Sequence, residues 1–215
     1  MNIIIIGAPG SGKGTQSQLI SKKYGIKHIC TSNLIKNGIK KKSKYKNNLD
    51  KIISSGKLLN DEIVISFVKS RITKEDCKNG FILDGFPRTY KQARYFNKKG
   101  IKIDYIFFLS IKDKFIIDRI SYRKIHIPSG RIYNLKFNPP KFEGIDDITG
   151  DLLITRKDDK TKILKKRLNE YHKNNNNLLK FYYKESLIGN NKYYVIDAYR
   201  DKESITNDIV NYINL

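Results

Sequence analysis

With 215 residues, 39% of them hydrophobic and 11% aromatic, the chain is long enough for one well-packed domain and too apolar for a disordered one. Its formal charge of +22 admits a nucleic-acid or acidic-membrane partner, but lysine and asparagine recur along the whole length, so the excess reads as scattered surface charge. No apolar run reaches the ~18 residues of a membrane helix. Cys30 and Cys77 lack any paired spacing, which argues against a disulfide framework and reads as two small buried hydrophobes of a reducing compartment.

In chain order, "NIIII" (2–6) is a β-branched run that meets glycines at once and reads as a buried strand. It is too short for a signal peptide and carries no basic leader or cleavage site, so the expected location is the cytoplasm. A helix is expected from Lys13 to about Tyr24. Further strands are expected at "IKHIC" (26–30), "GFILD" (80–84), "DYIFFLS" (104–110) and "KYYVID" (192–197). Helical stretches between them include 60–72 and 161–173. Strands alternating with helices predict an open parallel sheet, with ligands bound where the loops after Ile6, Leu83 and Ile196 meet. Residues 124–158 break this rhythm with Pro128, Pro139, Pro140 and several glycines, and predict a small β insertion. The runs "KKKSKYKNN" (40–48) and "HKNNNN" (172–177) fit compositional bias and receive no function.

The chemistry concentrates in two stretches. In "GAPGSGKGTQ" (7–16), Gly7, Gly12 and Lys13 match a phosphate-binding loop, but Gly14 stands where that motif has its hydroxyl, and Thr15 follows one residue late. A strand feeding such a loop and then a helix aims backbone N–H groups and a helix dipole at an anion. In "LDGFPRTYKQ" (83–92), Asp84 closes a strand in the same cleft, where a carboxylate can organise the waters of Mg²⁺. Arg88 offers a planar fork for phosphate. Gln92, one helical turn on, can both donate and accept, as reading an adenine edge requires.

"GAPGSGKGT" resembles the loop of nucleoside monophosphate kinases, and "DGFPR" resembles the signature of adenylate kinases. The resemblance runs nearly end to end with the long-lid adenylate kinases, through "TS" (31–32), "SGKLLNDE" (55–62), "RISYRKIHIPSGRIY" (119–133), "KFNPP" (136–140), "TRKDD" (155–159) and "KRLNEY" (166–171). It implies a P-loop α/β fold, a five-stranded parallel sheet flanked by helices. The core would span 1–29, 60–121 and 160–215, with a helical AMP-binding lobe at 30–59 and a small β lid at 122–159. It implies reversible transfer of a phosphoryl group from MgATP to AMP by a monomer whose partners are ATP, AMP and ADP. Gly10, Ser11, Gly12, Lys13, Gly14 and Thr15 would cradle the donor phosphates, with Arg119 against the donor adenine and Ile132, Tyr133 and Arg200 near the donor. Thr31, Lys36, Lys57, Leu58, Leu59, Gly85, Phe86, Pro87, Arg88 and Gln92 would hold AMP, with Arg156 and Arg167 also reaching it. Arg123, Arg156 and Arg167 would clamp the phosphates, with Lys13, Arg88 and Asp84 completing the catalytic set.

His126, Ser129, Asp146 and Thr149 occupy four corners that many relatives fill with zinc-binding cysteines. Hydroxyls are poor zinc ligands, so the expectation is a hydrogen-bonded lid without zinc. His28 and His172 sit in no motif and read as structural or surface residues. The chain also departs from the family. Lys36 replaces an arginine on the AMP phosphate, Ser32 and Asn33 replace a Gly-Asp pair, and Tyr122 and Ala198 replace glycines. Arg200 stands for lysine. These changes leave a GTP:AMP phosphotransferase open as a rival, and the charge leaves a nucleic-acid-associated P-loop protein.

Overall fold

Alternation inside one isoleucine run organises the fold. In the computed structural model, which describes residues 1–40, 55 and 57–215, strand β1 (Asn2–Gly7) is central and points Ile4 and Ile6 to one face of a sheet and Ile3 and Ile5 to the other. Its partners are β2 (Lys27–Cys30), β3 (Phe81–Asp84), β4 (Tyr105–Ser110) and β7 (Lys192–Asp197). The order is β2–β3–β1–β4–β7, and every pair is parallel. Burial on both faces explains why β1 reads as a continuous apolar run rather than an alternating one.

Helices α1 (Lys13–Tyr24) and α7 (Lys202–Asn214) cover the face of Ile3 and Ile5, contributing Ile20, Ile205 and Ile209 to its core. Helices α3 (Asp61–Ile72), α4 (Tyr90–Lys98) and α6 (Thr161–Leu187) cover the opposite face with Val64, Val68, Phe96, Leu178 and Tyr182. Side chains mark where the chain enters these helices: Asn60 accepts from the Glu62 N–H, Thr89 from Gln92 and Asp201 from Ser204. Helix α5 (Asp113–Ser121) packs Ile116 and Ile120 against Leu164 and Leu168 of α6 and Ala8 of the glycine loop. Helix α2 (Thr31–Lys40) follows β2 directly. Residues 41–54 and 56, including most of the "KKKSKYKNN" run and half of the expected lobe over 30–59, lie outside the described residues.

The helix expected at 161–173 runs 27 residues, to Leu187, and carries the "HKNNNN" run through its middle. Asparagine is a poor helix former, but Leu178 directly after the run and Tyr182 a turn further on are buried in the core, and their packing overrides local propensity. Between α5 and α6 the chain forms the expected β insert. Strands β5 (Arg123–Ile125) and β6 (Ile132–Asn134) pair antiparallel, and bridges link Ile125 to Ile154 and Ile145 to Leu152.

Phe107 is fully buried and stacks between Tyr105 and Tyr194, at 5.9 and 5.8 Å between ring centroids. Phe107→Ala is expected to lower unfolding stability by about 3–5 kcal/mol, read by urea denaturation. A loss below 1 kcal/mol would mean that this face of the core collapses to fill the space.

Candidate functional site

The carboxyl ends of β1 and β3 open with α2, α5, α6 and the insert onto one cleft of about 700 Å³. Its floor is the loop between β1 and α1. Gly12 caps α1 in the left-handed region (φ +96°), a conformation that costs other residues energy and turns the chain so that the helix N-terminus faces the cleft. Gly14 matters for space instead. A Cβ there would lie 3.3 Å from the Asp84 carboxylate and 3.5 Å from Ile132, so the absent side chain lets the carboxylate and the insert approach the loop.

Lys13 folds back over the loop, its ammonium donating to the carbonyls of Gly7 and Ala8 at 2.7 Å each. Burial pushes its pKa down to about 7. The guanidinium groups of Arg88, Arg167 and Arg123 act in the same direction, and Asp84 opposes them. Burial also acts against the Asp84 carboxylate, yet Asp84 stays below its ordinary range because His28, Lys13 and Arg88 face it. The Ser11 and Thr31 hydroxyls are buried in the cleft wall and have no hydrogen-bond partner among the described residues. Such orphaned groups are costly unless a ligand or water satisfies them.

Three arginines reach the cleft already paired with carboxylates. Arg123 grips Asp159 through Nε at 2.8 Å and through Nη2. Arg156 grips Asp158 with both fork nitrogens, at 2.9 and 2.6 Å, while Arg167 reaches Asp158 at 3.0 Å and Asp159 at 3.5 Å. Burial together with neighbouring guanidiniums lowers Arg167 to about 10. Burial alone would raise Asp158, but Arg167 and Arg156 outweigh it and hold it at about 2.

On the acceptor side, Arg88 donates from Nε to the Gly85 carbonyl at 2.8 Å. Gln92 is buried, and part of its amide is already committed: the carbonyl accepts from the Arg88 N–H at 2.7 Å and the amino group donates to Asp61 at 2.7 Å. One N–H and one lone pair remain for a ligand. Thr31, Lys36, Lys57, Leu58, Leu59, Gly85 and Pro87 border the same space, as do Gly10 to Thr15 across the cleft. Phe86 does not border it. That ring is 1% exposed and packs on Phe96 in the core at 4.8 Å.

At the far end, Arg119 lies over Phe137 (5.9 Å) and donates to the Arg200 carbonyl at 3.2 Å. The Arg200 guanidinium is pinned to Asp208. Ile132 and Tyr133 border the cleft, but the Tyr133 ring is buried, its hydroxyl donating to Asp146 and accepting from the Asp147 N–H, both at 3.0 Å. Tyr122 (φ −98°) and Ala198 stand at ordinary backbone angles, since no residue other than glycine has positive φ among the described residues. The glycines they replace are therefore not required for conformation.

In the insert, His126 Nδ1 lies 2.6 Å from Ser129 Oγ, and Nε2 lies 2.8 Å from Asp151 and 3.3 Å from Thr149 Oγ1. Asp146 accepts from Arg131, Thr149 and Tyr133. The four corner residues thus join one hydrogen-bond cluster, to which Asp151 and Arg131 also belong.

Sequence reasoning missed three of these groups. Asp158 and Asp159 were visible in "TRKDD", but a carboxylate beside an arginine does not reveal which guanidinium it holds. His28, read as structural or surface, has Nε2 at 3.4 Å from Asp84. It lies two residues before Cys30 on β2, so the two-residue period places both on one side of the strand. Cys30, expected as a buried hydrophobe, is half-buried in the cleft wall, whereas Cys77 is buried.

A P-loop at the centre of a parallel sheet, facing a wall of guanidinium groups across a two-sided cleft, defines a phosphotransferase of the nucleoside monophosphate kinase class. The family model described as adenylate kinase matches residues 5–187. The chain is also 46% identical over 209 residues to the adenylate kinase of Sodalis glossinidius (strain morsitans), covering 97% of this chain and 98% of that protein. The chain belongs to the adenylate kinase family.

The low pKa of Lys13 predicts a proton signature. At pH 8.5 its amine is mostly neutral in the free protein, while a polyphosphate beside it favours the ammonium and raises its pKa. ATP binding at pH 8.5 is expected to take up about half to one proton, measured by calorimetry in buffers of different ionisation enthalpy, and Lys13→Arg is expected to abolish the uptake. Equal heats in all buffers for the unmodified chain would count against a depressed Lys13.

Proposed function

We propose that this cleft transfers a phosphoryl group reversibly between MgATP and AMP, giving two molecules of ADP. The observation that carries the reading is the convergence of Lys13, Arg88, Arg123, Arg156 and Arg167 on one cleft. No general base is needed, because the attacking oxygen belongs to an AMP phosphate that is already ionised near neutral pH. Catalysis then reduces to aligning two anions and neutralising their charge.

In this reading the loop from Gly10 to Thr15 cradles the donor phosphates, with Lys13 on the outer ones. Thr31, Lys36, Lys57 to Leu59, Gly85, Pro87, Arg88 and Gln92 hold AMP. Arg123, Arg156 and Arg167 exchange their carboxylate partners for phosphate oxygens, so Asp158 and Asp159 keep the guanidiniums in place until nucleotide arrives. Asp84 fits an organising role toward magnesium, since its buried carboxylate stays ionised within reach of the loop. Magnesium bound with ATP supplies positive charge against the donor phosphates. Residues 30–59 form the acceptor-side lobe, and the insert at 122–159 acts as a lid whose closure excludes water that would otherwise accept the phosphoryl group. The hydrogen-bond cluster around His126 takes the place of zinc, and the address is the cytoplasm.

The first test is ADP formation from AMP and MgATP, followed by chromatography. Lys13→Ala is expected to reduce kcat by about 100-fold or more. Lys36→Arg, which restores a two-pronged fork, is expected to lower KM for AMP by about 3- to 10-fold. An unmodified chain that makes no ADP would refute the reading. For the insert, metal analysis is expected to find no zinc, and a chelator is expected to leave Tm unchanged; stoichiometric zinc would overturn the metal-free reading.

A further inference from the structure

Gln92 meets two anchors, and each admits only one orientation of its amide. A backbone N–H only donates, so the amide atom 2.7 Å from the Arg88 nitrogen is the carbonyl oxygen. A carboxylate only accepts, so the amide atom 2.7 Å from Asp61 Oδ1 is the amino nitrogen. Turning the amide over would set two donors together at Arg88 and two acceptors together at Asp61. Gln92 is 2% exposed, so water does not relieve either clash.

Asp61 is held where two helices begin. It is the first residue of α3, directly after the Asn60 cap, where the helix dipole favours a carboxylate. Its Oδ2 accepts from the Thr89 hydroxyl at 3.1 Å, and that hydroxyl accepts in turn from the Gln92 N–H at 3.2 Å. One carboxylate thus engages the cap of α4 through one oxygen and the Gln92 side chain through the other. Asp61 does not border the cleft, whereas Gln92 does, so Asp61 reaches a ligand only through that amide.

The locked amide leaves one N–H and one lone pair for a base, in a fixed order. A 6-aminopurine presents the complement, an amino donor at position 6 beside an unprotonated N1. A 6-oxopurine presents the reverse, an acceptor at position 6 beside an N1–H, so that donor would meet donor and acceptor would meet acceptor. We infer that Asp61 is a positioning residue for acceptor choice, fixing Gln92 in the orientation that reads a 6-aminopurine and rejects a 6-oxopurine. The inference rests on the reading of Gln92 as a contact to the acceptor base.

The test measures Kd for AMP and for IMP, its 6-oxo counterpart, by calorimetry on the full chain. The unmodified chain is expected to prefer AMP by about 100-fold or more. Asp61→Asn keeps the shape of the side chain but pairs with either orientation of the Gln92 amide. It is expected to cut the preference for AMP by about 5- to 50-fold, weakening AMP and strengthening IMP. Asp61→Ala, which removes one of the two anchors, is expected to cut it as well. Thr89→Val removes the cap but leaves Asp61 opposite Gln92, and is expected to lower Tm with the preference unchanged. The inference is overturned if both Asp61 variants keep the full preference, or if the unmodified chain has none. It is also overturned if Thr89→Val loses as much preference as Asp61→Asn, because the start of α4 would then set the choice. Failure of the unmodified chain to form ADP would refute the phosphoryl-transfer reading alone, since the comparison of the two ligands measures binding.

Discussion

Five cationic side chains border one cleft, and three carboxylates hold them there. Burial strips water from Lys13 and Arg167, and the neighbouring guanidinium groups repel them as well, which is why both lose pKa. Asp84 answers Lys13, while Asp158 and Asp159 answer the three arginines of the insert and α6. Buried ion pairs of this kind stabilise a fold poorly for the desolvation they require. Their value lies in the surplus of positive charge that remains and in the fork geometry shared by carboxylate and phosphate. A guanidinium already oriented on a carboxylate reaches a phosphate oxygen with little reorganisation.

The rest of the architecture serves that concentration of charge. The cations arrive from the P-loop, the end of β3, the insert and α6, segments that meet only because a parallel sheet delivers its carboxyl ends to one side. The departure of the loop from the general P-loop pattern belongs to the same economy of space. With glycine at position 14, the Asp84 carboxylate and Ile132 stand against the loop, and a Cβ there would crowd the carboxylate while only touching Ile132.

The insert shows a different solution to smallness. It is too short to bury much apolar surface, and Ile127, Phe142, Ile148 and Leu152 remain exposed on it. Its interior is instead a polar network around His126 and Asp146, both nearly fully buried and both multiply hydrogen-bonded. Every member must be satisfied for such a network to hold, so it specifies one arrangement of the hairpin.

The amino-acid sequence by itself determined the strands, the phosphate loop and the segments that border the cleft. Each of these depends on local rules: side-chain alternation along a strand, a backbone turn that glycine permits, an N-terminal cap. Tertiary structure alone decided the partners. It carried α6 through its asparagine run because Leu178 and Tyr182 found the sheet, put Phe86 in the core behind its own motif, and committed part of the Gln92 amide to Asp61. It also brought His28 to Asp84 across 56 residues and Tyr199 onto Phe115. These contacts join residues far apart in the chain, and their energies depend on burial and geometry that exist only once the layers have packed, so no window of sequence contains them.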